Sequence, residues 1–229
     1  FVLPESLTEE RHREMGERQR PPFTFKALII AINRPVVGPL LTVRFFFGLA
    51  FATFQTIFAL YAQYKLGLEA DKTGFILAYV GILSVVVQGG LISPLTKRFR
   101  ENWLIITGLW LMAFSLLAWA FVPNLVILLI VMLPLALSGG VLGTVIQSAI
   151  TKAVQPQEIG GMLGIAGALE SLTRVIAPIV GGYMLGNLGT WAPGIFSAIL
   201  MAWAVWFAYR RIIRVKVPEV PTAAETTNG

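Results

Sequence analysis

Three charged residues lie within long apolar stretches of this 229-residue sequence, namely Arg44, Glu170 and Arg174. Glu170 precedes Arg174 by four positions, so in a helix the two side chains share one face in the order that favours an ion pair. A charge inside a lipid bilayer costs about 2.5–3.5 kcal/mol on insertion scales, and such residues usually have a partner or a function. The pair therefore predicts either mutual neutralisation or a path for a substrate or protons. Arg44 predicts either a part in that path or a side chain that snorkels to the membrane surface.

Uncharged polar residues in the same apolar stretches add further candidates. Gln55 shares one helical face with Arg44, and the mixture of charge, amide and aromatic rings there suits an amphiphilic or aromatic ligand. Aromatic rings at that spacing are equally typical of packing or lipid contact. Glutamine side chains also hydrogen-bond between helices without any ligand. The helical face of the first stretch comprises Arg44, Gly48, Phe51, Gln55 and Phe58. The three remaining polar candidates are Ser84, Gln88 and Gln147.

The elements that carry these residues are predicted to cross a membrane. Hydrophobic residues make up 56% of the chain and charged residues 13%, whereas soluble domains have about 45–50% and about 25%. Six apolar stretches reach the length of roughly 20 residues that a bilayer requires of a helix. We number them spans 1 to 6, and their predicted bounds are Val36–Tyr64, Gly74–Leu95, Trp103–Val122, Leu125–Thr151, Ile159–Leu188 and Pro193–Ile213.

The basic residues predict the domain organisation and the orientation. Residues 1–34 are interpreted as the end of a preceding helix plus a charged linker, with a short interfacial helix near residues 23–33. Residues 35–214 form the six-span bundle, and residues 215–229 form a disordered tail. The side that holds both termini carries 14 Lys and Arg residues, and the other side carries two. The positive-inside rule therefore places both termini in the cytoplasm.

Small and aromatic residues predict how the spans pack. Gly160, Gly164 and Gly167 line one side of span 5, and Gly182 and Gly186 form a GxxxG pair, so we expect both surfaces to contact other helices. Spans 3 and 6 have no strong polar face and are predicted to be peripheral and lipid-facing. Their tryptophans are Trp103, Trp110, Trp119, Trp203 and Trp206.

Several functional classes are disfavoured by what the sequence lacks. It has no cysteine and one histidine, His12, which lies in the linker, and no aspartate falls within a span. An enzyme needs a convergent set of nucleophile, base or metal ligands. The sequence therefore predicts no enzyme, no metal site and no cofactor. The net charge of +6 is attributed to loops that set topology rather than to a nucleic-acid surface.

Four sequence segments resemble the C-terminal half of a major facilitator superfamily transporter, in the drug:proton antiporter branch that includes tetracycline efflux proteins. The first resembles the end of the family's sixth helix, and the second resembles the basic loop motif between its eighth and ninth helices. The third and fourth resemble the start and the Gly-Pro-x-x-Gly-Gly stretch of its eleventh helix. These segments are residues 1–7, 90–100, 149–164 and 177–182. The second lacks the motif's acidic residue, and in the fourth Ala177 replaces the first glycine.

The resemblance implies an all-α membrane protein whose six spans form half of a transporter. In that family two six-helix halves rock around a central cavity. It implies a missing N-terminal six-helix half, a small-molecule substrate, a proton gradient as energy source and a bacterial inner membrane as location. By analogy spans 1, 2, 4 and 5 border the cavity. The alternative is a non-transporting membrane scaffold, or a half-size unit that pairs with itself.

Overall fold

A computed structural model describes residues 25–213, and within them the chain is helical with short connections and no strand. Six helices are long and apolar enough to cross a membrane, which confirms the predicted fold class. The predictions for the start of the chain and for the tail fall on residues 1–24 and 214–229, outside the described part. Spans 1 to 6 comprise Val37–Leu66, Ala70–Val86 continued to Arg98, Glu101–Ala120, Leu125–Lys152, Ile159–Asn187 and Ala192–Ala208.

Local sequence explains where the spans begin and end. Span 1 ends because Gly67 adopts the left-handed conformation with φ 63°. In this conformation the backbone N–H of Gly67 donates a hydrogen bond to the carbonyl of Gln63 at 3.0 Å. The Oδ1 atom of Asn124 accepts a hydrogen bond from the backbone N–H of Ile127 at 3.0 Å and so caps span 4. Span 2 continues past its apolar part to Arg98 through one wider turn of π-helix at Val87–Leu91.

The spans pack around span 1, which contacts spans 5, 6 and 4, while span 3 packs between spans 4 and 6. Span 2 packs mainly on span 4. The core between spans 1 and 3 is aromatic: the hydroxyl of Tyr61 donates to the carbonyl of Trp119 at 2.8 Å, and the rings of Phe54 and Trp119 meet edge-on at 5.0 Å. The prediction that Trp119 faces lipid is therefore wrong, because this side chain is fully buried.

Glycines allow spans 1 and 5 to approach each other closely. The glycines at these contacts are Gly48 and Gly181, which the sequence motifs do not assign to packing. A Cβ atom at Gly181 would lie 2.5 Å from Cγ1 of Ile57, and one at Gly48 would lie 3.3 Å from Oγ1 of Thr173. A Cβ atom added at any of the predicted packing glycines of span 5 would meet no atom of the described residues within 4 Å, so these glycines do not make the close helix contacts within this bundle and their packing role stays a prediction. They are Gly160, Gly164, Gly167, Gly182 and Gly186. Spans 2 and 5 are also the least buried of the six.

A short helix at Phe25–Ile32 precedes span 1, within the region where the sequence predicts one. The following loop is tied to the start of span 5, because the Arg34 guanidinium donates two hydrogen bonds to the Glu158 carboxylate, at 2.8 and 3.0 Å. These hydrogen bonds raise the pKa of Arg34 above its ordinary value. Because this ion pair is bidentate, it fixes the relative orientation of the Arg34 and Glu158 side chains as well as their separation.

Candidate functional site

A cavity of about 220 Å³ lies between spans 1, 4 and 5. Span 1 supplies one wall through residues at helical spacing, and span 5 supplies the opposite wall with Glu170 and Arg174. Two glycines of span 4 leave space between these two walls. Cavities of this kind, apolar with a few converging polar groups, are typical of small-molecule sites. The lining residues are Arg44, Phe47, Gly48, Phe51, Ala52, Gln55, Gly139, Gly143, Glu170, Thr173 and Arg174.

The Glu170 carboxylate lies between two guanidinium groups. Nη2 of Arg174 donates to Oε1 at 2.9 Å along the same helix, and Nη2 of Arg44 donates to Oε2 at 3.2 Å from span 1. Side-chain exposure differs among the three, at 17% for Arg44, 43% for Glu170 and 72% for Arg174. Arg44 is therefore the most buried of the three side chains and Arg174 the most exposed. The group contains two basic side chains and one acidic side chain.

The three charged candidates and Gln55 line this one cavity, whereas the other three candidates lie elsewhere. The Ser84 hydroxyl donates to the carbonyl of Val80 at 2.9 Å in its own helix, and Gln88 is exposed near Gly140. Oε1 of Gln147 is buried and accepts no hydrogen bond from the described residues. A role for Ser84, Gln88 and Gln147 at the site stays a prediction.

Two lining residues that sequence reasoning missed shape the cavity directly. Thr173 donates its hydroxyl to the Glu170 carbonyl at 2.7 Å and packs next to Gly48. A Cβ atom at Gly139 would lie 3.3 Å from Cε2 of Phe51, so this glycine makes space for the ring. Both could have been found by spacing, since Thr173 is three residues after Glu170 and Gly139 is four before Gly143.

The arrangement supports three kinds of chemistry. The guanidinium groups can bind an anionic or carbonyl oxygen, since their N–H donors form a planar fork. The stacked rings of Phe47 and Phe51, with centroids 5.8 Å apart, offer an apolar surface. The carboxylate of Glu170, held by the two arginines, offers an anionic acceptor for a cation or a hydrogen-bond donor. Within residues 25–213 no group of three His, Cys, Asp or Glu side chains is placed to hold a metal ion.

Comparison with known proteins identifies relatives that match most of this chain. The chain is 29% identical over 167 residues to solute carrier family 22 member 18 of Rattus norvegicus, covering 73% of this chain and 40% of the relative. It is 28% identical over 197 residues to the class C tetracycline resistance protein of Escherichia coli, covering 81% and 47%. It is 24% identical over 205 residues to multidrug resistance protein 2 of Bacillus subtilis, covering 88% and 50%. The chain thus spans half or less of the length of these curated relatives.

The fold and the family model agree with these relatives. The crystal structure of the POT family transporter PepTSo superposes with a TM-score of 0.64 at 14% identity, covering 80% of this chain and 39% of that chain. That likeness concerns the fold. The model of the Major Facilitator Superfamily matches residues 40–228, which is most of the chain. This chain therefore belongs to the major facilitator superfamily, as its sequence motifs predict.

Proposed function

We propose that the protein is a secondary active transporter that exports drugs or other small amphiphilic molecules in exchange for protons. The observation that carries this proposal is the Glu170 carboxylate held between Arg44 and Arg174 at 3.2 and 2.9 Å, inside a cavity lined by phenylalanines. The cavity offers the amphiphile both an aromatic surface and a charged group. The resemblance to proteins named for tetracycline and multidrug resistance supports this choice of substrate.

We propose further that a second six-helix half completes the cavity. The chain spans 40–50% of the curated relatives it matches. Spans 2 and 5 are the least buried, and the open glycine face of span 5 is suited to close helix contact. In this family two such halves rock against each other to expose a central site to either side in turn.

Export can be tested with the whole protein in proteoliposomes that carry a pH gradient. We expect lipophilic cations or tetracyclines to move against their own gradient, and we expect a protonophore to stop this movement. Sugars in the same assay serve as the comparison class. Transport of sugars but not of amphiphiles would overturn the substrate assignment. A complete absence of transport would favour a non-transporting membrane scaffold.

We also propose a bacterial plasma membrane as the location, with both termini in the cytoplasm. The bacterial relatives and the 14-to-2 distribution of basic residues support this assignment. Single cysteines at Arg100 and Lys152 are expected to react with an impermeant thiol reagent only from the cytoplasmic side. A cysteine at Asp71, at the other end of span 2, should react only from outside. Because the native chain has no cysteine, each label reports one position, and outside labelling at Arg100 would reverse the orientation.

A further inference from the structure

A second cavity, of about 280 Å³, lies where the ends of spans 1, 3 and 4 meet the π-helical turn Tyr209–Ile213 that continues span 6. It shares no lining residue with the cavity around Glu170. Its apolar lining residues, called the floor below, are Pro35, Val36, Leu40, Ala149, Ala153 and Ile212. Its polar lining residues, called the rim below, are Glu101, Asn102, Lys152 and Arg211.

The rim combines two cations with one carboxylate. Glu101 accepts hydrogen bonds from Lys152 and from the hydroxyl of Ser148, the latter at 3.2 Å. These bonds hold the carboxylate on the span 4 side of the cavity. Arg211 forms no ion pair within residues 25–213, so the rim keeps one positive charge that the described residues do not balance.

Neighbouring aromatic residues indicate the depth of this cavity in a membrane. Trp103, next to Asn102, and Tyr209, two residues before Arg211, are both exposed. The guanidinium of Arg210 lies over the ring of Trp206, 4.6 Å from its centroid. Exposed tryptophan and tyrosine at the ends of spans are typical of the headgroup region of a bilayer. We therefore expect the mouth of the cavity to lie at the level of the lipid headgroups.

We propose that this cavity binds the headgroup of an anionic phospholipid, with the phosphate between Arg211 and Lys152. Arginine presents paired N–H donors that match phosphate oxygens, and basic pockets between membrane helices are suited to anionic headgroups. The apolar floor accommodates the glycerol and the first acyl carbons. Glu101 opposes binding because it competes with the phosphate for Lys152. Its removal and the removal of a cation should therefore change affinity in opposite directions.

The test is a lipid titration of the purified whole protein in detergent, followed by native mass spectrometry. Phosphatidylglycerol is expected to bind more tightly than phosphatidylcholine. Arg211→Gln and Lys152→Gln should each weaken phosphatidylglycerol binding about fivefold. Glu101→Gln should strengthen it by a similar factor. Arg210→Gln is the matched control, since it makes the same charge change one residue away on a side chain that stacks on Trp206 and does not line the cavity.

Each outcome decides the proposal. Equal losses for Arg210→Gln and Arg211→Gln would show unspecific charge attraction and would overturn it. Equal binding of the two lipids would also overturn it. A further arm adds inorganic phosphate, and full displacement of the lipid by millimolar phosphate would assign the cavity to the free anion instead. If Lys152→Gln and Arg211→Gln fail to fold, a Glu101→Gln variant that does not bind phosphatidylglycerol more tightly contradicts the proposal by itself.

Discussion

Replacing Glu170 with glutamine is expected to reduce proton-driven export to background while membrane insertion and substrate binding stay largely intact. Glutamine keeps the size of the side chain and can still hydrogen-bond to Arg44 and Arg174, but it cannot take up or release a proton. An ionisable residue in a membrane span is by default a candidate for such a role. The measurement is substrate uptake into inverted membrane vesicles with and without a pH gradient, alongside equilibrium substrate binding.

A matched control is available in the same chain. Glu158 also forms an ion pair with an arginine, Arg34, but lies at the start of span 5 and does not line the cavity. Glu158→Gln therefore removes the same charge and a comparable pair, and we expect its export to remain coupled to the gradient. Equal loss of coupling in both variants would indicate that ion pairs in general, rather than Glu170, support transport.

A double replacement separates coupling from structure. Glu170→Gln alone leaves Arg44 with a neutral hydrogen-bond partner and no counter-charge, and this arginine is 17% exposed, so its charge becomes more costly to bury. Combining Glu170→Gln with Arg44→Gln removes this buried charge as well as the carboxylate. The remaining Arg174 side chain is 72% exposed. If this double variant exports substrate with the pH dependence of the wild-type protein, the three residues serve packing alone and the coupling role of Glu170 is wrong.

The sequence predicted the number and type of the spans because the bilayer sets a length and a hydropathy that few soluble elements reach. Their ends were less predictable. Span 2 was expected to end at Leu95, yet its helix continues to Arg98, since a helix can extend into the polar region beyond the hydrocarbon. Trp119 was misplaced because hydropathy does not distinguish a residue that faces lipid from one that faces another helix.

The candidate site was predictable along each helix but not between helices. Spacing alone places Glu170 beside Arg174 and Arg44 beside Gln55. The contact between Arg44 and Glu170 joins residues 126 positions apart, and nothing in either span's own sequence indicates that the two helices meet there. For the same reason the sequence groups Ser84 and Gln88 with the cavity, although no residue of span 2 lines it.

The 229-residue chain by itself is expected to insert into liposomes without transporting substrate. The reason is geometric and rests on the proposed second half. Among residues 25–213 the cavity is walled only by spans 1, 4 and 5, and the Arg174 side chain that lines it is 72% exposed. Alternating access requires a second body that closes the other side. The measurement compares substrate flux under a pH gradient for this chain and for the whole protein at equal protein-to-lipid ratio.

Two results would contradict this prediction in different ways. Flux from the chain that rises with the square of its density in the membrane would indicate that two copies assemble into a symmetric transporter, so that the open face of span 5 pairs with itself. Substituting leucine at Gly164, where an added Cβ atom would meet no atom within 4 Å in residues 25–213, should then abolish that flux. Flux proportional to density would mean that six spans suffice. Because Glu170 would then face open bilayer or water on one side, that result would also exclude a rocking mechanism between two halves.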